Sequence, residues 1–484
     1  MIDQQAPHLR KNKVNLSDYD FEQDVMMRMS LDQLNFQDIQ VLEEILFNSV
    51  KFPVEDLEDS LDMSAPDVMT ALEKLLPTQL FSLEGAEVTV NKEKRKVFES
   101  HAQRFEDDFS PSLDFLHTLL KHVPIHILPL WYQVPKSSDN IFDSLIEKYF
   151  HTPQLFERHL LELTPDDETL TNIIKDVFDS EDLKLPASTL MKRYNIDHDQ
   201  FEQYMLNLEY NFVLFSKYEK VGADYIHMVL PFHEWREYLI FVRNTTPSTI
   251  DNVDEISVYR DEEYAFSKDM ASLLQSIQIS PIKVVKNEDD KWTITKKELT
   301  GMVEALCGIE AQGSQDLLIL QNYFANVINK LIMLKLAKVE GKFLLPCEGA
   351  IEWIRMLPEK RAFSTYKHPL NQICGSKYSS KLNNDRNIRE IEKSISRVAR
   401  SGWIYFDDFM EGLMVPLSEE SKVELRREGK GWKYQTPAYT EEEKSFIKMT
   451  ILEWLFESGI IRTGEHDNKI CFTVTSLGKS LFGS

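Results

Sequence analysis

Histidines, cysteines and paired carboxylates are the residues that could do chemistry here, and their spacing argues against it. His233–Glu237 reads H-E-W-R-E. A zinc-protease helix needs a second histidine one turn after the first, so that two imidazoles share a face, and Glu237 occupies that place. His117, His122 and His126 are close in sequence, but spacings of five and four with Pro124 between them do not align three imidazoles on one helical face. Cys307, Cys347, Cys374 and Cys471 form no C-x-x-C pair, which excludes a zinc ribbon and offers no disulfide framework. Neither a G-x-x-x-x-G-K-[ST] run, a G-x-S-x-G elbow nor a glycine-rich phosphate loop is present,. We therefore expect no catalytic residue, metal, cofactor or small-molecule substrate. A deep pocket gathering perturbed carboxylates or histidines would be the sign of an enzyme after all.

Charge is the more informative signal. Arg355–Arg400 carries eleven Lys/Arg against four acids, in a chain whose net charge is −24. At 100° per residue, Arg386, Arg389, Lys393, Arg397 and Arg400 fall in one arc of about 80°. Ile388, Ile391, Ile395 and Val398 lie opposite. With Lys377 and Lys381 just upstream, this is the expected nucleic-acid-binding set, a cationic stripe that could track phosphates. Two other readings fit the same stripe: a dock for an acidic protein or for the chain's own acidic first half, and a solvated face of an amphipathic helix. Trp131 and Tyr132, beside Pro124, Pro129 and Pro135, are the expected protein-docking patch. The remaining tryptophans are expected in cores.

The whole chain is acidic, with a pI near 5.0, so its general surface repels phosphate backbones and only a local patch could bind DNA. Apolar residues make up 42% and aromatics 11%, enough for folded cores. Sixteen glycines in 484 residues are few for a nucleotide-binding α/β fold and favour helical modules. The first residues have no apolar core of a signal peptide. Leu317–Val339, the most apolar long helix, contains Asn322, Asn326, Asn329, Lys330 and Lys335 and is too polar to span a membrane. A reducing cytoplasm is the expected setting.

The elements that must position these residues recur. Phe212–Leu239 and Leu336–Met356 share an order: strand, polar tip with glycine, strand ending in Leu-Pro, tryptophan-bearing helix. Looser copies occur at Leu80–Arg104 and Gly459–Phe482. Helices precede each hairpin. Phe36, Ile39, Leu42, Ile45 and Leu46 recur at helical spacing, and Ser64, Pro66 and Asp67 start a later helix. The predicted fold is mainly α with small β-hairpin wings: tandem winged-helix modules joined by helical connectors. Residues 1–34 form a polar arm, 35–108 module 1, 109–163 a helical connector and 164–244 module 2. An acidic linker at 245–263 leads to module 3 at 264–371 and module 4 at 372–484, which has a polar insertion at 416–439. The helices expected to enter a DNA groove are acidic or nearly neutral: Asp197, Asp199, Glu202 and Glu209 on one, Glu441, Glu442 and Glu443 on another,. Groove readout by every module is not expected.

KWTITKKEL (Lys291–Leu299), LAKVEGKFLLPCEGAIEWI (Leu336–Ile354) and FTVTSLGKSLF (Phe472–Phe482) resemble the winged-helix segments ahead of the motor in XPB-type helicases. They are also similar to the winged-helix partner subunit of that helicase in transcription–repair factors. The resemblance covers about 200 residues of the C-terminal half. It implies an accessory protein without its own ATPase, whose partner is a helicase or a polymerase-associated factor, with DNA as a further partner. At a coarser level the chain is similar to kleisin-type subunits, which implies instead a structural role beside an SMC-type ATPase.

Overall fold

Each hydrophobic period in the sequence becomes a helix whose apolar face closes over a small sheet. The computed structural model describes residues 14–135, 140–163, 167–258, 262–287, 291–295, 299, 314–367, 378–429 and 431–483. The chain is mainly helical with small antiparallel sheets. It divides into two compact units: Met1–Phe241 with Val423–Gln435, and Val242–Lys422 with Thr436–Ser484.

In the first unit, helix Phe21–Leu31 precedes helix Phe36–Phe47. A capping box joins Asn35 and Asp38, satisfying two amides of the second helix's first turn. Ile39, Leu42, Ile45 and Leu46 are buried as their spacing predicts. Strand β1 (Lys51–Pro53), helices Glu55–Leu61 and Ala65–Leu75, and strands β2 (Phe81–Glu84) and β3 (Glu87–Val90) follow. The sheet order is β1-β3-β2. The pattern repeats with helix Glu168–Asp179, β4 (Leu185–Pro186), helices Ala187–Tyr194 and His198–Tyr210, β5 (Leu214–Val221) and β6 (Asp224–Pro231), in order β4-β6-β5. Gly222, at φ +68°, makes the tight β5–β6 turn in a backbone region other residues avoid.

The second unit carries two further copies. Helix Ala265–Ile279, β7 (Ile282–Lys286), β8 (Trp292–Ile294), helix Ser314–Met333, β9 (Ala337–Glu340) and β10 (Phe343–Pro346) form a sheet ordered β8-β7-β10-β9. The last copy has helix Asp385–Ser394, β11 (Ile404–Tyr405), helix Phe406–Glu411 and helix Glu441–Met449, which runs on as a π-helical turn, Thr450–Leu455. Its hairpin, β14 (Ile461–His466) and β15 (Lys469–Val474), gives the order β11-β15-β14. In all four copies the strand after the first helix pairs antiparallel with the last strand: β1 with β3, β4 with β6, β7 with β10, β11 with β15.

Two stretches differ from their sequence reading. Residues 245–263 read as an acidic linker, and within them Ile250 and Ile256 are buried with Trp403 and Cys471, and the Ile250 amide donates to the Trp403 carbonyl at 2.7 Å. Two isoleucines in a polar run were enough to seat the strand-like segment on the last sheet. Residues 416–439, read as a polar insertion in module 4, contain a hairpin, β12 (Leu425–Glu428) and β13 (Gly431–Tyr434), which belongs to the first unit.

Candidate nucleic-acid interface

The basic set sits on and around helix Asp385–Ser394. Asn384 caps it, accepting from the Asn387 amide at 2.9 Å, and Ile388 and Ile391 bury its apolar face. Lys381, Arg386 and Arg400 are exposed. Lys393 is 65% exposed and pairs with Glu390 at 2.8 Å, a surface ion pair that costs little to open. Lys377 lies outside the described residues.

Arg389 and Arg397 correct the stripe expectation. Arg389 donates to Glu392 at 2.5 Å. Glu392 is buried and also accepts from the Trp454 indole at 2.6 Å and the Tyr366 hydroxyl at 3.1 Å. Removing Arg389 to a phosphate would strand that carboxylate. Arg397 lies beyond the α-helix, in a 3-10 turn over Ile395–Val398. Three residues per turn replace 3.6 there, so the alignment calculated for an α-helix through Arg400 does not hold. The Arg397 guanidinium donates to the Thr245 carbonyl and lies over Gly412, where a Cβ would clash with it. Arg397 is thus a strut within the second unit. The exposed cations of the set are Lys381, Arg386, Lys393 and Arg400. Arg400 edges a depression of about 410 Å³ that Thr249, Ser396 and Ser401 also line, hydroxyls that suit a phosphate oxygen.

The third helix of each copy, the one that could enter a groove, is poorly placed for phosphate. In Ala65–Leu75 the exposed positions include Asp67, Met69 and Glu73, and Lys74 is held by Asp38 at 2.6 Å. His198–Tyr210 is covered on both sides: Phe201, Met205 and Leu208 face its own core, while Glu202 and Glu209 are buried. In Ser314–Met333, Lys330 is buried in an ion pair with Glu457 and lies 4.7 Å from the Trp454 ring. Helix Glu441–Met449 opens on exposed Glu441 and Glu442.

What covers the third helix of the second copy is a buried ionic network. Glu209, 0% exposed, receives Arg104 on both oxygens, at 2.7 and 2.9 Å, and Arg28 at 2.5 Å. The Ser216 amide completes it at 3.1 Å. Burial opposes the charge, but Arg104 and Arg28 hold the Glu209 carboxyl well below its ordinary range,. Alongside, Asp32 lies 3.2 Å from His198 and 3.1 Å from His227. Hydrogen bonds to Asp32 and then Glu202 push His198 up to about 10. The hairpin of this copy is engaged as well. The Phe36 amide donates to the Ala223 carbonyl at 3.0 Å, Lys220 sits over the Phe36 ring at 3.2 Å, and Tyr218 belongs to the first copy's core. Helix and hairpin of the second copy therefore weld the first unit together. Sequence reading notes the acidity of this helix, but the arginines that answer it lie 105 and 181 residues away, and no local pattern signals such a pairing.

Trp131 and Tyr132 are also corrected. They are 1% and 2% exposed, with the Trp131 indole donating to Asp18 at 2.7 Å and the Tyr132 hydroxyl to the Tyr210 carbonyl at 2.7 Å. The large apolar residues that the connector leaves exposed are instead Ile125, Leu130 and Leu161.

A pocket of about 480 Å³ between helices Phe21–Leu31 and Lys92–Ala102 brings Asp20, Asp24, Lys94 and His122 into one lining. Asp24 accepts from the Tyr19 hydroxyl at 2.9 Å, and His122 contacts Ser100 at 3.3 Å. Burial lowers the His122 imidazole's affinity for a proton. Among the described residues no hydrogen bond joins the carboxylate to the imidazole, the coupling a general base would need. Nor, among the described residues, do three or more His, Cys, Asp or Glu side chains gather to hold a metal, and no described helix is long and apolar enough to cross a membrane. Compared with protein-family models, curated proteins and solved structures, the chain matches none.

Proposed function

We propose that the four repeats are winged-helix modules, and that the protein is a non-enzymatic accessory factor of nucleic-acid metabolism, associated with a helicase or with transcription in the cytoplasm. The observation that carries this is the fourfold recurrence of a helix, a strand, at least one further helix and a hairpin whose last strand pairs with the first, with β8 added in the third copy. Such modules work by positioning: helix faces and hairpins hold a protein partner, and exposed Lys381, Arg386, Lys393 and Arg400 supply salt-sensitive DNA contact. A second reading, a kleisin-like structural subunit beside an SMC-type ATPase, is favoured by one observation, the burial of the third helix in two of the copies.

DNA binding across a salt series separates the two. With Lys381, Arg386, Lys393 and Arg400 each changed to glutamate, the accessory-factor reading expects duplex affinity to collapse. The wild type's log–log salt slope should lose about three to four, near 0.9 per phosphate released. Wild-type protein that ignores duplex DNA even at low salt would move the assignment to the structural subunit.

A further inference from the structure

The hairpin formed by β12 and β13 reads L-R-R-E-G-K-G-W-K-Y from Leu425 to Tyr434. It sets four cations against one acid in a chain of net charge −24. Its base is anchored. Leu425 and Tyr434, opposite each other in register, are buried. The Leu425 amide donates to the His151 carbonyl at 2.8 Å, and the Tyr434 hydroxyl donates to the Phe150 carbonyl at 2.8 Å. Tyr434 also packs against Tyr238, ring centroids 5.7 Å apart.

Beyond that base Arg426, Arg427 and Lys433 are exposed, and Trp432 is partly buried. Arg426 stands directly opposite Lys433, both exposed, and like charges in that position weaken a hairpin. Glu424 answers Arg426 from 3.8 Å. Arg427 stands opposite Trp432, with its guanidinium 6.0 Å from the indole centroid. Gly429, at φ +62°, makes the turn, and a Cβ at Gly429 or Gly431 would meet no atom within 4 Å, so the tip is open to approach. An anchored base, exposed cations along both strands and a partly buried tryptophan together suit a phosphate backbone carrying an unpaired base. Cations hold the phosphates and the indole stacks on the base. Because the base of the hairpin is fixed, little ordering is needed on binding.

We propose that the Leu425–Tyr434 hairpin is a second nucleic-acid contact, selective for single strands, with Arg426, Arg427 and Lys433 on phosphates and Trp432 stacking on a base. It rests on the accessory-factor reading, in which nucleic acid is a partner, and is independent of the Lys381–Arg400 cations.

The test uses the full chain, a labelled oligothymidylate and a duplex of equal length, titrated at several salt concentrations. Changing Arg426, Arg427 and Lys433 together to glutamate is expected to weaken single-strand binding about tenfold or more and to lower the salt slope by about two. Trp432→Ala should cost about fivefold or more on the single strand and little on the duplex. The milder pair Arg426→Gln and Lys433→Gln should weaken binding while leaving the melting temperature within about two degrees of the wild type, since both side chains are exposed,. A purely structural hairpin would lose stability instead. Hairpin variants that bind like the wild type overturn the proposal, even if the Lys381, Arg386, Lys393 and Arg400 variant no longer binds, and leave the accessory-factor reading intact. Loss in the hairpin variants alone upholds it and removes the Lys381–Arg400 contact. A wild type that binds neither probe overturns both.

Discussion

Glu234 is the residue whose titration has the clearest consequence. It is buried at the start of helix His233–Asn244 and accepts from the Leu113 amide at 3.1 Å. Burial pushes its carboxyl up to about 8, so the native state holds a proton that the unfolded chain releases near 4.5,. Between those values the folded protein binds more protons than the unfolded one, and stability falls as pH rises through that window. Glu234→Gln keeps the shape and the acceptor without the charge. It should match the wild type near pH 4 and exceed it by a few kcal/mol above pH 8, since each tenfold difference in proton affinity is worth about 1.4 kcal/mol. Urea denaturation at the two pH values measures this; parallel curves for the two proteins would show that Glu234 is ionised in the fold. The same residue shows what sequence could and could not reveal. H-E-W-R-E was recognisable as failing a metal motif because the motif is local. The glutamate's burial against Leu113 depends on a contact 121 residues away.

At the scale of elements, helix Phe21–Leu31 matters most. It lies in a stretch read as a polar arm, yet Val25, Arg28 and Leu31 are buried, because Arg28 closes on Glu209 of helix His198–Tyr210. Arg28→Ala leaves Glu209 to Arg104 and the Ser216 amide and should destabilise the first unit by about 3 kcal/mol, the lower end for breaking a buried pair. A cycle with Glu209→Gln, followed by urea unfolding, isolates the coupling. Near-zero coupling would mean that packing, not charge, seats the helix. Hairpins and long amphipathic helices were legible in the sequence because their periods are short: Val88 and Val90 alternate, and Ile39 to Leu46 follow the helical repeat, and all are buried accordingly. The basic stripe was half legible. Its apolar side, Ile388 and Ile391, falls inward as the period requires. Its cationic side follows from angle alone, and angle does not reveal that Arg389 answers a buried Glu392 or that the helix tightens at Ile395. The β12–β13 hairpin is not legible in the sequence because R-R-E-G-K-G-W-K lacks the apolar alternation that marks a strand,. Its glycine turn flanked by cations was the available signal.

For the whole molecule, the four repeats do not behave as four beads. In the first unit the Arg28–Arg104–Glu209 network and Tyr218 fuse two of them. In the second, Phe456 packs against the cores of both remaining copies, and the buried Lys330–Glu457 pair bridges them. Each pair of repeats should therefore unfold as one cooperative block, since a buried ion pair broken at one end leaves an uncompensated charge at the other. Scanning calorimetry of the full chain is expected to resolve two transitions. Arg104→Ala should lower one of them by several degrees and Glu392→Ala the other, each leaving its counterpart in place. Four separable transitions would mean that the networks within each unit contribute little to cooperativity. A single transition shifted by both substitutions would mean that the two units unfold together, and the assignment of Val423–Gln435 to the first unit would then have to be tested by deleting the hairpin.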